Sequence, residues 1–214
     1  MKKSIFAINE SPIHISDRMT GKLNGIPCIS TSVLKNTYCQ KRACVPGSIC
    51  SKCYAMNTVN RYSSLCENLN SNYDLLTKSV LPLEQLPVFA NVAIARFEAF
   101  GDIQNKTQAI NYINICKVNP TVTFALWTKN TRIVADAIRT EGKPSNLVII
   151  ASSPTINKPM HTSAACVDKV FTVYDKQEIA KKQIDINCGA RSCASCRACY
   201  NRDNGIRDIR EQLK

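Results

Sequence analysis

Eight of the twelve cysteines in this 214-residue chain fall into two short groups. The C-terminal group consists of Cys188, Cys193, Cys196 and Cys199. Its last three thiols follow one another at spacings of three residues, and a loop of that pitch can present thiolates to three corners of one [4Fe–4S] cubane, with Cys188 as the fourth ligand. Structural zinc sites more often use two separated Cys-x-x-Cys knuckles. The C-terminal group therefore predicts an iron–sulfur cluster, with zinc as the alternative.

The N-terminal group is less regular but equally dense. It consists of Cys39, Cys44, Cys50 and Cys53. Only Cys50-x-x-Cys53 is a recognisable knuckle, and the dipeptide Pro46-Gly47 predicts a turn that lets the backbone curl around a small group. We assign all eight grouped cysteines as metal and cofactor ligands, so the protein is expected to hold one or two [4Fe–4S] clusters.

The remaining cysteines and the histidines are less suited to chemistry. The four other cysteines are expected to act as small buried hydrophobes: Cys28, Cys66, Cys116 and Cys166. The two histidines, His14 and His161, are predicted to be exposed. So few imidazoles make a Ser-His-Asp hydrolase or a histidine-rich zinc enzyme improbable.

Charged residues stand where predicted strands end. They are Arg96, Glu98, Asp102 and Lys129. A period of two places Arg96, Glu98 and Asp102 on one face, and the carboxyl ends of parallel strands converge on one site. The cations would stabilise an anionic cluster or substrate, while Glu98 or Asp102 could take a proton or ligate iron. The alternative is a salt-bridge network that closes the end of the sheet.

These residues need a scaffold, and the centre of the chain has the alternating pattern of β/α units. The predicted strands are 88–100, 121–127, 147–151 and 169–174. The predicted helices are 58–80, 107–117, 131–140 and a last helix through Lys182 that begins at an Asp175 N-cap. Right-handed crossovers would make the sheet parallel. The predicted fold class is α/β, a partial parallel β/α barrel or open parallel sheet with cysteine-rich cluster-binding segments at both ends.

The length and hydrophobic content predict a single domain over residues 1–214. Residues 1–38 show no clear period and are expected to be irregular. The organisation is then an N-terminal cysteine loop (36–57), an α/β core (58–185), a C-terminal cysteine segment (186–200) and a tail (201–214).

The chain is basic, with 28 Lys and Arg against 16 acids and a formal charge of +12. Two cubanes with their thiolates would contribute about −4. The remaining excess fits a solvated surface or an acidic partner, including weakly bound nucleic acid. The apolar stretch 5–8 is too short for a secretory signal, and no run approaches a membrane span. We therefore expect a cytoplasmic protein without a membrane partner, whose oligomeric state the sequence leaves open.

Four motifs resemble one family. They are Cys-Val-Pro-Gly-Ser-Ile-Cys-Ser-Lys-Cys-Tyr-Ala at 44–55, Arg-Phe-Glu-Ala-Phe-Gly-Asp at 96–102, Trp-Thr-Lys at 127–129 and the terminal cysteine segment. In this order, over residues 36–200, they resemble phage-encoded proteins catalogued as gene-product-88-like, whose layout is similar to a reduced radical-SAM barrel. The resemblance implies a viral iron–sulfur protein in the host cytoplasm. It also implies cluster ligation by Cys44, Cys50 and Cys53, with Arg96, Glu98 and Asp102 near the cluster.

The sequence departs from the radical-SAM pattern in two ways. The spacing Cys44-x5-Cys50-x2-Cys53 replaces Cys-x3-Cys-x2-Cys, with Cys39 available to fill the iron that SAM would occupy, and a glycine-rich strand is absent. Our first hypothesis is a redox protein, either an electron carrier with a redox partner protein or an oxidoreductase acting on a small-molecule substrate. The alternatives are a radical-SAM-like enzyme that binds SAM and a zinc-stapled, basic nucleic-acid-binding module.

Overall fold

The computed structural model describes residues 4–213 and is built on one six-stranded sheet. Its strands are β1 (Cys28–Ile29), β2 (Ile94–Phe97), β3 (Thr123–Thr128), β4 (Leu147–Ser152), β5 (Lys169–Tyr174) and β6 (Asp208–Gln212). The strand order follows the chain order, and every neighbouring pair is parallel. The predicted α/β class with an open parallel sheet is confirmed.

Helices supply most of the connections between the strands. The described α-helices are α1 (Thr37–Ala43), α2 (Tyr54–Val59), α3 (Ser63–Lys78), α4 (Lys106–Val118), α5 (Thr131–Glu141), α6 (Lys176–Lys182) and α7 (Cys193–Cys196). The predicted cap of α6 is present, because the Asp175 side chain accepts a hydrogen bond from the Glu178 amide at 2.8 Å. Within residues 4–213, none of the helices is long and apolar enough to cross a membrane.

The two faces of the sheet pack against different parts of the chain. On the outer face, Phe97 of β2 stacks on Tyr112 of α4 at 4.2 Å and on Phe124 of β3 at 4.9 Å between ring centroids. The inner face carries the alternate residues of the strands, such as Ala125 and Ile150. The inner face is the one that does not carry helices α4 and α5. Its apolar core includes Cys39 and Cys53 of the N-terminal group and Cys193 and Cys199 of the C-terminal group, so both groups pack on this face.

The edges of the sheet were the part that the sequence pattern predicted least well. Residues 208–212 were expected to be a tail but form edge strand β6, in which only Ile209 is buried. Strand β1 lies in the segment expected to be irregular and is two residues long. A charged edge strand and a two-residue strand carry too few alternating apolar positions to show a period of two.

Two further predicted elements have different bounds. The helix expected over 58–80 is divided into α2 and α3, with residues 60–62 between them. The strand expected over 88–100 is only Ile94–Phe97. It ends there because Glu98 adopts a left-handed φ of 56°, which interrupts the extended backbone.

Lys22, which precedes β1, links the two ends of the sheet. Its ammonium group lies 2.7 Å from a carboxylate oxygen of Glu211 in β6 and donates to the carbonyl oxygen of Cys188 at 3.1 Å. The chain before the first strand therefore contacts the last strand, and the C-terminal cysteines lie beside that contact.

Candidate metal centre

All four cysteines of the C-terminal group line one pocket, together with Lys22 and the apolar side chains of Ile206 and Ile209. Local backbone geometry produces this convergence. Helix α7 begins at Cys193 and ends at Cys196, and Arg197 then adopts a left-handed φ of 52°. This sharp turn reverses the chain, so Cys199 faces the same space as the cysteines of α7.

The thiols of this pocket lie in a partly desolvated, cationic environment. Burial raises the pKa of Cys199 to about 12, and Arg96 opposes that shift. Lys22 also donates a 3.7 Å hydrogen bond to the sulfur of Cys188. A metal must therefore displace protons from these thiols, and the neighbouring cations stabilise the thiolates that result.

Arg96 lies on β2 and is a cation of the inner face. Its guanidinium carbon lies 3.8 Å from the ring centroid of Trp127, a cation–π contact. The Nε atom is buried and has no hydrogen-bond partner among residues 4–213. Burial would lower the pKa of Arg96, but Tyr54, Tyr200 and nearby thiols raise it above its ordinary value. A partly buried cation without a carboxylate is costly, so this position favours an anionic group at the face.

The N-terminal group is held by short turns and helix caps. The Asn36 side chain accepts a hydrogen bond from the Cys39 amide at 3.0 Å, and Ser48 accepts one from the Cys50 amide at 3.2 Å. Cys53 is the N-cap of α2, and it packs on the inner core with Cys39. Cys44 is the C-cap of α1 and is exposed.

A lysine–aspartate pair adjoins the N-terminal group. The Lys129 ammonium lies 4.0 Å from an Asp102 oxygen, and Asp102 accepts hydrogen bonds from the Thr128 hydroxyl at 2.5 Å and the Lys129 amide at 3.1 Å. Burial opposes the charge of Lys129, but Asp102 and the thiols of Cys50, Cys39 and Cys53 raise its pKa overall. Lys129 is thus the cation that faces this group.

Glu98 does not share a face with Arg96, contrary to the prediction. The left-handed backbone at Glu98 breaks the period of two and turns its carboxylate toward α4. There it accepts hydrogen bonds from Tyr112 and Gln108 of α4, both at 2.6 Å, and from the Thr31 hydroxyl at 2.9 Å. Arg96 stays on the inner face, so the structure separates two residues that were predicted to form one pocket.

The environment of Glu98 predicts a pH-dependent stability. Burial raises its pKa to about 8, although the hydrogen bonds from Tyr112 and Thr31 oppose the shift. An unfolded glutamate has a pKa of ~4.3, so between these values the folded state binds more protons and the free energy of unfolding falls as pH rises. Thermal denaturation across pH 5 to 8 should show this decline, and Glu98→Gln should flatten it. An equal slope in both proteins would contradict the assignment.

The predicted burial of the four other cysteines and the predicted exposure of the two histidines are each confirmed only in part. Cys28, Cys116 and Cys166 are buried, whereas Cys66 is only partly buried. His161 is exposed as predicted, but His14 is half-buried, and burial lowers its pKa. Cys28 faces Arg96 and Cys193, a placement that no sequence motif indicated.

No three Cys, His, Asp or Glu side chains in the described chain, residues 4–213, lie close enough together to hold a single metal ion. A tetrahedral zinc site needs all four ligands within ~2.3 Å of one ion. A cubane instead distributes its four thiolates over four iron atoms, which places the sulfurs farther apart. The four cysteines that line the C-terminal pocket equal the number of thiolates that a cubane uses.

The family model described as gene product 88 matches residues 14–212 of this chain. The match confirms the phage-type family that the four motifs indicated. No curated protein and no solved structure matches the chain.

Proposed function

We propose that this chain, which belongs to the gene product 88 family, is an iron–sulfur protein that carries single electrons on [4Fe–4S] clusters held by its two cysteine groups. The observation that carries the proposal is the pocket in which Cys188, Cys193, Cys196 and Cys199 come together. Four thiols are the complete ligand set of a cubane, and three of them follow one another at spacings of three residues.

The charges around the two groups support the same proposal. A [4Fe–4S] core with four thiolates is anionic, and Arg96 and Lys22 face the C-terminal group while Lys129 faces the N-terminal one. Cations beside a cluster stabilise it and raise its reduction potential. When bound, a cluster supplies a site for one electron, and the residues of this chain hold it, neutralise its charge and limit water access.

All twelve cysteines are free thiols. Disulfides rarely persist in a reducing compartment, where clustered thiols more often bind metal. This fits the proposed location in the cytoplasm of a host cell, where a redox partner protein would exchange electrons with the clusters.

A redox enzyme is the second candidate, and the pair of Lys129 and Asp102 favours it. These two groups adjoin Cys39, Cys50 and Cys53, and burial raises the pKa of Asp102. A carboxyl and an ammonium beside a cluster could bind a small substrate and move a proton. A SAM-dependent reaction at a cluster held by the N-terminal cysteine group is a narrower form of the redox-enzyme candidate.

Optical spectroscopy of protein purified without oxygen tests the proposal. We expect brown protein with a broad visible absorption that dithionite bleaches. Added SAM should leave the spectrum unchanged for an electron carrier and perturb it for a SAM enzyme. Colourless protein that contains zinc would contradict the iron–sulfur proposal and favour the nucleic-acid-binding alternative, whose affinity for DNA should fall steeply with salt.

A further inference from the structure

A cavity of about 820 Å³ is lined by the last two strands and by the segment that connects β4 to β5. Small-molecule sites usually have volumes of ~300–1,000 Å³. Residues 159–163 of the connecting segment form one wall. The other lining residues come from β5, from β6 and from the position before β6: Val170, Thr172, Tyr174, Arg207, Asp208 and Arg210. Within residues 4–213, no cysteine lines this cavity, so it is distinct from the candidate metal centre.

The strand register places the floor of this cavity on the outer face of the sheet. Val170 is paired with Asp208, and Thr172 with Arg210, across the parallel strands β5 and β6. Side chains alternate between the two faces along a strand, and Phe171 packs on the inner core. The side chains of the two pairs therefore lie together on the opposite, outer face.

The wall formed by residues 159–163 is fixed by hydrogen bonds on both sides. Before it, the Asn157 amide donates to the carbonyl oxygen of Val173 in β5 at 2.9 Å. After it, the Asp168 amide donates to the carbonyl oxygen of Ile149 in β4 at 2.9 Å. Both ends of the wall are thus attached to the sheet, and the cavity is a feature of the fold itself.

The positive charge in this cavity is only partly neutralised. Arg207 forms no ion pair with a carboxylate among residues 4–213. Arg210 pairs with Asp185 at 3.3 Å, but that carboxylate is largely exposed, and exposed pairs contribute little. The Nε atom of Arg210 is buried and has no hydrogen-bond partner in the same part of the chain. A buried donor without an acceptor is costly, so the cavity favours a ligand that supplies one.

We propose that this cavity binds a small organic phosphate. The guanidinium fork of arginine matches the oxygens of a phosphate group, and Arg207 and Arg210 supply two such forks. The Thr172 hydroxyl adds a donor for the same oxygens. Met160 and Tyr174 supply apolar surface for the carbon skeleton of the ligand. This site goes beyond the proposed function and needs no cluster.

The test is titration calorimetry of the full chain, purified without oxygen, with phenyl phosphate as the probe. Inorganic phosphate and phenol represent the two halves of the probe, and each should bind more weakly than phenyl phosphate. Arg207→Gln and Arg210→Gln should each weaken the binding of phenyl phosphate about tenfold. Asp208→Asn should strengthen it, because it removes a negative charge from the cavity lining. Arg139→Gln is the matched control, since it removes one positive charge from α5 outside the cavity, and it should leave the affinity unchanged.

Three outcomes would overturn the inference. One is that Arg207→Gln, at an exposed position where the fold should tolerate it, binds phenyl phosphate as tightly as the unsubstituted protein does. Another is that phenyl phosphate binds no more tightly than inorganic phosphate. The third is that a single-stranded oligonucleotide binds through both arginines while phenyl phosphate does not bind, which would assign the cavity to nucleic acid. Iron content should be the same in all of these variants, so a failure here leaves the iron–sulfur proposal intact.

Discussion

Cys196→Ser should remove the C-terminal cluster, about four iron atoms, and lower the thermal stability of the protein markedly. Cys196 is the last residue of α7 and lines the pocket with the other three cysteines of its group. A hydroxyl is a poor ligand for iron in such a cluster. Because a cluster that binds only the folded state adds its binding free energy to folding, its loss should also lower the melting temperature. Iron analysis and thermal denaturation measure the two effects.

Cys116→Ser is the control for this experiment. Cys116 of α4 is fully buried in the outer core, and neither cysteine group belongs to that core. The substitution should destabilise the fold by burying a hydroxyl, at a cost of about 1–3 kcal/mol, while iron content stays unchanged. Full iron content in Cys196→Ser would contradict the assignment of the C-terminal pocket.

Cys53→Ser should remove the N-terminal cluster and leave the C-terminal one in place. Cys53 is the N-cap of α2 but makes no side-chain capping hydrogen bond. Serine is a favoured N-cap residue, so the substitution should preserve or improve the local helix. A loss of about four iron atoms would therefore reflect the missing thiolate and not a disturbed helix. Iron content and the number of paramagnetic centres after reduction measure the result.

Cys66→Ser is the matched control, because Cys66 packs on the same inner core and is also partly buried. It should retain the iron content of the unsubstituted protein. If Cys53→Ser keeps all of its iron, the N-terminal group is structural and the protein holds a single cluster.

The sequence predicted the centre of the fold well, because these elements carry strong local signals. Strand β5 has the predicted bounds, and α4 and α5 each lie within a residue of theirs at either end. The Asp175 cap was predicted from one side chain and its position. The edge strands were missed because β1 is too short to show a period and β6 is charged.

The sequence predicted that the C-terminal cysteines lie together but not which residues surround them, and their role as ligands stays a prediction. The spacing of the C-terminal cysteines predicted their convergence, which the pocket shows. The placement of Glu98 was wrong, because a period of two cannot continue through a left-handed residue. Lys22 and Tyr200 were not identified, since their contacts with Cys188 and Trp127 depend on tertiary packing between distant segments.

The central claim is that the two cysteine groups hold iron–sulfur clusters. Analysis of iron and acid-labile sulfide in protein reconstituted without oxygen tests it most directly. We expect about eight iron and about eight sulfide per chain, four of each for every group of four thiols. Zinc bound to the cysteines without acid-labile sulfide would contradict it.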